Sequence, residues 1–269
     1  MCELAAKALL PVNAALAVAL FVLLVVAAGT AAVFRLSPDE SFGRAREICV
    51  AGVRAAVQLG VVSLVIGWVV HYTTALLGFL LVMFSVAVRT AGRRITQNGT
   101  WVWAALPVAG PVVPLVAGLV ATGLLPFKGI SLIPVTGILI GGALTATVLG
   151  GRRALDELTS RKGEVEAALA LGFLDRDARL EVARPAASDA LLPGLDQTRT
   201  VGLVTLPGAF VGMLLGGASP VMAGAVQLFV LIALMAVQAI SVAISVELIA
   251  RGRLHRDPRP ASSPRHDRP

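Results

Sequence analysis

Long apolar runs separated by short basic stretches make up most of the chain. A helix needs about 20 mostly apolar residues to cross a hydrocarbon core of roughly 30 Å. Seven runs meet or approach that length, at 11–34, 50–70, 74–89, 101–125, 130–150, 200–217 and 220–250. The pattern predicts an all-α, polytopic membrane helix bundle of about seven transmembrane helices. One segment departs from it. Residues 151–199 are polar and amphipathic, and far outrun the ~4–6 residues that usually join packed elements. The stretch RRALDELTSRKGEVEAALAL predicts a helix with a partial apolar stripe at Leu155, Leu158, Val165, Ala168, Leu169 and Leu171 and charges over much of the rest. Gly172 is placed to cap it. Asp175 to Ala183 predicts a second amphipathic helix, ending before Pro185. A helix, a glycine elbow and another helix form a knob suited to docking in a groove on a soluble partner.

Composition fixes the solvent. The chain is 57% hydrophobic and 14% charged, with a mean hydropathy of +0.84; soluble domains carry roughly 25% charged residues. So apolar a chain cannot cover its surface with polar groups, which makes the bilayer its main solvent. The formal net charge of +7 then follows from the enrichment of Lys and Arg in cytoplasmic loops. All basic residues except Lys7, Arg54 and Lys128 fall on one side if the seven spans alternate. That places the N-terminus outside and the C-terminus in the cytoplasm, with the insert at about 151–199 on the cytoplasmic side of a transmembrane domain covering 1–250. A nucleic-acid partner is excluded, since only 5% of residues are aromatic and the basic residues line loops rather than one folded face. The sequon Asn98-Gly99-Thr100 falls on the cytoplasmic side, where it serves as a turn. The Pro- and Arg-rich tail, 251–269, predicts a disordered basic segment. The first apolar run exceeds the roughly 7–15 residues of a signal-peptide core and predicts a retained helix. Cys2 and Cys49 offer neither a disulfide framework nor zinc spacing.

Small and polar residues inside the spans are the candidate machinery. Gly208, Gly212 and Gly216 share one helix face, and Gly137 and Gly141 repeat the spacing. Such residues either pack helices within the bundle or form a seam that meets another copy or slides. Pro207, beside Gly208, and Pro134 break the hydrogen-bond ladder. Breaks at membrane depth are tolerated where protein or a cavity satisfies the backbone, or they are simply rigid kinks. Intramembrane polar groups are functional candidates, and Arg54, Gln58, Gln227 and Gln238 are the candidate transport path. Arg54 and Gln58 lie i, i+4 on one helix face, and Arg54 is also near enough to the span's end to snorkel. Asn13 is a further polar group. Glu247 and Arg251 suit an interfacial ion pair. The lack of a carboxylate near any midplane argues against a proton-driven carrier. Histidines occur only at 71, 255 and 266, outside every span interior, and no metalloprotease, nucleophile-elbow or Walker motif is present. The residues predict no catalytic group, no metal site and no cofactor bound by this chain. Met83, Met213, Met222 and Met235 are read as packing residues.

Glu166-Ala167-Ala168, three residues and then Gly172-Phe173 resemble the EAA loop of ABC-transporter permeases. A wider resemblance is carried by RAAVQL at 54–59, LIPVTGILIGGALTA at 132–146, EAALALG at 166–172, LLPGLDQTRTVGLVTLPGAFVGMLLGGASP at 191–220, and Gln227. These stretches are similar to the bacterial iron-export ABC permeases, whose plant relatives are linked to aluminium tolerance. The chain departs from that pattern at Val182-Ala183-Arg184-Pro185, at Ala209-Phe210 and at Val226. The resemblance implies a multi-pass permease of the bacterial inner membrane that works as a homodimer with two copies of a separate ABC ATPase subunit. ATP and Mg would bind that partner, docking would fall on Glu166, Ala167, Ala168, Gly172 and Phe173, and the cargo would be iron or a metal-linked small molecule. A lipid flippase and a non-transporting membrane scaffold are the alternatives.

Overall fold

A computed structural model describes residues 13–35 and 43–257, and its contacts divide the chain into two units, Met1–His71 and Tyr72–Pro269. The first unit is a helix pair. Helix α1, Ala14–Val33, opens on Asn13, whose side-chain oxygen accepts from the backbone N–H of Leu16 at 3.1 Å. Helix α2, Gly43–His71, comes close to α1 at Gly52: a Cβ there would stand 2.7 Å from Leu24 Cδ1. Apolar side chains otherwise point away from the pair, with Phe21 69% and Leu64 86% exposed. In water that much uncovered apolar surface would be strongly unfavourable; in lipid it is the expected outer face.

The second unit begins with α3, Thr73–Ile95. A 3-10 turn at Gly99–Ala104 leads into α4, Ala105–Ala121. Then come α5, Gly129–Ser160, α6, Lys162–Ala170, and α7, Asp175–Ser188. The chain continues through α8, Leu192–Thr200, and α9, Gly208–Leu215, and closes with α10, Pro220–Ala250. Helices α3, α4, α5 and α10 share an apolar core that includes Ala91, Val108, Leu139, Ala143 and Val237. Small residues there let backbones approach closely, which matters where lipid supplies no hydrophobic drive for helices to associate. A Cβ on Gly92 would run into the backbone of Trp101, one on Gly142 into Leu234, and one on Gly151 would stand 2.9 Å from Ile95 Cδ1. The glycines picked out by spacing behave differently. Gly137 meets only Met83, at 3.1 Å, and Gly216 only carbonyls of its own helix. Gly141, Gly208 and Gly212 have nothing within 4 Å of a Cβ, so their faces are not packed among the described residues.

Two prolines inside α4 show how the bundle tolerates broken ladders. Pro111 has no N–H to offer the carbonyl of Pro107, four residues earlier. Ser241 of α10 supplies the missing donor, its hydroxyl reaching Pro107 O at 2.7 Å in a buried site. A second apolar cluster gathers the ends of α3, α5 and α10 around α7, through Ile95, Leu155, Leu180, Ala183, Ile249 and Leu254. The basic groups Arg93, Arg153, Arg179 and Arg253 stand on elements that meet there, and Arg153 and Arg179 are paired with Asp189 and Asp175.

Several sequence expectations need correction. Among the described residues, six helices are long and apolar enough to cross a membrane, not seven. The 200–217 run is no continuous helix: Thr200–Thr205 is a tight turn with a bridge between Val201 and Thr205, Gly202 at φ 83°, and only the eight-residue α9 follows. Pro207 removes a donor and holds Leu206 out of the helical region, a backbone effect that hydropathy does not see. The helix expected over 152–171 breaks at Arg161 (φ −107°, ψ 33°), so Leu155 and Leu158 join the core while Leu171 does not. Pro185 does not end α7, which continues to Ser188. Residues 251–257 are tied to the bundle although most are exposed: Leu254 is fully buried, and His255 O accepts from Thr96 Oγ1 at 2.8 Å and Asn98 Nδ2 at 2.9 Å. Arg256 donates to Ile95 O at 2.9 Å. The expected turn at Asn98 is present, its side chain accepting from Thr100 N at 2.9 Å. Cys2, Lys7 and the tail from 258 onward lie outside the described residues.

Removing the Ser241 hydroxyl strands a buried carbonyl, which costs about 1–3 kcal/mol. Ser241→Ala should therefore lower the thermal midpoint of the detergent-solubilised protein. Gly92→Ala overpacks a backbone contact that cannot swing aside, at about 1–3 kcal/mol, whereas Gly212→Ala should leave the midpoint unchanged. Equal midpoints for Gly92→Ala and Gly212→Ala would contradict the packing described.

Candidate functional site

The elbow is built from a helix with nothing to bury. No residue of α6 is buried, and nine residues are too few to be a stable helix in water unaided. Its ends hold it. At the start, Arg161 donates to Glu157 at 3.2 Å and to Glu164 at 2.6 Å. The hydrogen bond from Arg161 keeps the Glu164 carboxyl below the ordinary carboxylate range, so this staple is formed at neutral pH and is lost as acid protonates Glu164. At the other end Gly172, at φ 91°, permits a left-handed cap: Phe173 N donates to Ala168 O at 3.1 Å and Gly172 N to Leu169 O at 2.9 Å. This is the paired bonding of a Schellman motif. The cap pushes Leu171 (80% exposed), Phe173 (50%) and Leu174 (72%) outward. Glu166 and Ala167 are exposed beside them, and Ala168 is half-buried. The result is an apolar tip bordered by carboxylates on a polar segment.

Helix α7 anchors that tip to the bundle. Ala178, Leu180, Val182, Ala183 and Ala187 are buried on α7, and Leu180, Ala183 and Ala187 join the cluster shared with α5 and α10. The expected Glu247–Arg251 pair is present, and α7 completes it. Arg176 grips Glu247 with both arms of its guanidinium, at 2.8 and 2.7 Å. Glu247 thus ties the elbow's second helix to the end of α10. Its partners are one-third or more exposed, and such pairs add only about 0–1 kcal/mol, so the contact sets position more than stability. A partner 71 residues away leaves no local signature in the sequence.

The segment between α7 and α10 runs back along α10 in broken pieces. Gly194 of α8 lies against the amide of Gln238, so closely that a Cβ would overlap it. Further on, Val201, Leu206, Pro207 and Phe210 face Gln227, Leu228 and Leu231 across a cavity of about 190 Å³. Ser219 then caps α10, accepting from Met222 N at 3.3 Å. From Pro220 to Gln238, α10 rises about 27 Å, most of a hydrocarbon core. The segment 192–217, which holds the sixth apolar run, therefore passes along α10 as two short helices and a turn. Gln227 and Gln238 both face it. Gln227 is 6% exposed, and its Oε1 has no hydrogen-bond partner.

Of the four residues proposed for a path, the structure brings Gln227 and Gln238 to one side of α10. Arg54 and Gln58 lie in the first unit, both exposed along one open face of α2 with Val50 and Val57. Among the described residues, no three His, Cys, Asp or Glu side chains gather in a way that could hold a metal ion. Sequence spacing missed Gly142 and Gly194, the glycines that let α5 and α8 reach α10. The adjacent Gly141-Gly142 pair was the available signal, and the wrong member of it fits the GxxxG rule.

Comparison with known proteins agrees with this architecture. The model of the Uncharacterised protein family (UPF0014) matches residues 13–253. The UPF0014 membrane protein STAR2 of Oryza sativa subsp. japonica is 36% identical over 218 residues, 79% of this chain and 76% of its own. Protein ALUMINUM SENSITIVE 3 of Arabidopsis thaliana is 34% identical over 201 residues, 73% of each chain. The protein named as probable iron export permease protein FetB of Escherichia coli (strain K12) is 28% identical over 221 residues, 80% of this chain and 85% of its own. No solved structure matches. With a helical, multi-span bundle and a family match over nearly its whole length, the chain belongs to the UPF0014 family of membrane proteins.

Proposed function

We propose that this chain is the membrane subunit of an ABC-type exporter, driven by a separate ATPase that grips the α6–α7 elbow. The observation that carries this is the elbow itself: Leu171, Phe173 and Leu174 stand uncovered on a polar segment that needs no such residues to stay soluble. Helix α7 is packed on α5 and α10, and Glu247 is gripped from α7, so a push on the tip reaches the end of α10. ABC assemblies combine two ATPases with two membrane halves; one chain supplies one half, and a two-fold homodimer completes the set. The arginine-bearing end of the second unit faces the cytoplasm by the positive-inside rule, which puts the elbow where ATP is. A bacterial plasma membrane is the setting. Iron, or a small molecule that carries it, is the cargo by analogy with the name of FetB.

Surface substitutions on the tip should leave folding within about 0.5 kcal/mol of the parent. Phe173→Asp and Glu166→Arg should therefore keep the parent's thermal midpoint yet lose co-purification with the ATPase. Unchanged capture and unchanged ATPase stimulation in nanodiscs would sink the docking assignment. Glu247→Gln separates docking from transmission. It should retain the ATPase in the complex while reducing ATP-dependent transport several-fold, and transport at the parent rate would show that the Arg176 grip transmits nothing.

A further inference from the structure

One face of α3 changes character along its length. Val82, Val86, Arg89 and Arg93 are spaced i, i+4, i+7 and i+11, so they share that face. Val82 (58%) and Val86 (46%) are exposed, an apolar stripe that belongs in lipid, and both arginines are exposed beyond it. At about 1.5 Å per residue, Arg89 stands roughly 24 Å and Arg93 roughly 30 Å along the helix from Thr73. That is the far edge of a hydrocarbon core of roughly 30 Å, the level at which lipid phosphates lie.

Neither arginine has an acid. No Asp or Glu occurs between Glu47 and Asp156 in the chain. Among the described residues, the ion pairs of the second unit all fall between residues 153 and 256. Asp257, which reaches the α3–α4 connection, accepts from Asn98 Nδ2 at 3.0 Å, and Asp156 is taken by Arg256. Arg93 is held in place all the same. Its guanidinium carbon stands 5.3 Å from the centroid of the Trp101 ring, and one of its N–H groups donates to Gln97 O at 3.0 Å. Stacking occupies the flat face of a guanidinium and leaves the remaining N–H groups, of five in all, at its rim. Arg89 lies one turn nearer the apolar stripe, about 6 Å along the axis.

This pairing of charge with lipid-facing surface narrows the occupant. A soluble anion would meet the arginines but leave the stripe unused, and a protein carboxylate would have to be carried to the edge of the hydrocarbon. A glycerophospholipid meets both at once, since a phosphate accepts from guanidinium forks while acyl chains lie on valine. A zwitterionic headgroup adds an ammonium that two unpaired arginines repel; a net-negative one does not.

We propose that the Arg89–Arg93 face of α3 is a binding site for an anionic glycerophospholipid. The two guanidinium groups hold its phosphate, Trp101 positions Arg93, and the acyl chains rest on Val82 and Val86.

The test needs no ATPase and no transport, so it stands or falls separately from the exporter assignment. The full chain in detergent is titrated with palmitoyl-oleoyl phosphatidylglycerol, with the phosphatidylcholine of the same chains and with glycerol 3-phosphate, and bound molecules are counted by native mass spectrometry. The parent should retain phosphatidylglycerol roughly tenfold or more over phosphatidylcholine, each arginine contributing about fivefold, and should not bind glycerol 3-phosphate. Arg89→Gln should reduce the preference, and Arg89→Gln with Arg93→Gln should abolish it. Arg152→Gln removes the same charge from an exposed, unpaired position on α5 and should leave the preference intact. Equal retention of the two lipids by the parent would overturn the assignment without reference to any variant. So would displacement of phosphatidylglycerol by an equal concentration of glycerol 3-phosphate, an undiminished preference in the double variant, or an equal loss in Arg152→Gln, the mark of bulk charge alone.

Discussion

A backbone carbonyl or N–H in hydrocarbon has no water to fall back on, and much of this molecule is arranged around that fact. Its spans carry prolines at 111, 114 and 134 inside helices, and a turn at 200–205 opens an apolar run. Each interruption must find donors and acceptors in protein. In α4 the donor comes from Ser241 on α10. In the turn, Gly202 N returns to Thr205 O at 2.8 Å, and Val204 N to Thr200 O at 2.9 Å, so the broken segment closes most of its own bonds. Among the described residues, three buried side-chain oxygens are the exceptions: Thr136 Oγ1, Thr147 Oγ1 and Gln227 Oε1 find no partner.

The same helices serve two environments. Helix α5 runs 32 residues from Gly129 to Ser160 and α10 runs 31 from Pro220 to Ala250, both longer than the roughly 20 residues a span needs. Their surplus turns project beyond the core and make a platform for α7. Apolar contacts, each worth about 1.5–3 kcal/mol per fully buried large side chain, hold that platform together. Charged contacts at its edge, such as Arg176 with Glu247, add little energy by comparison but fix direction. Helix α6 has only its caps and its neighbour α7, which leaves its tip free to be covered by something else.

Periodicity and hydropathy were enough to establish an all-helical membrane protein, the long span that closes the second unit, the cap at Gly172 and the turn at Asn98. Each of these follows from residues close together in sequence: a run of about 20 apolar residues, a glycine after a helix, an asparagine that accepts from the N–H two positions on. The continuous span expected at 200–217 failed for a local reason too weak to weigh from composition, a proline and a glycine whose backbone demands outvote the oiliness of Val201, Leu203 and Val204. The disorder expected from 251 does not apply to 251–257 for a distant reason, since the pocket that receives Leu254 is made by α3, α5 and α7.

What the sequence alone determined, then, was solvent and element type, because burial in lipid and helical capping depend on near neighbours. Only the tertiary structure decided which glycines touch a neighbouring helix, who completes the ion pair at Glu247, and that Gln227 is buried with nothing bonded to its oxygen. Those properties belong to pairs of segments tens of residues apart. They exist only once α5, α7 and the broken segment have been laid against α10, where packing distance rather than sequence spacing settles which atoms meet.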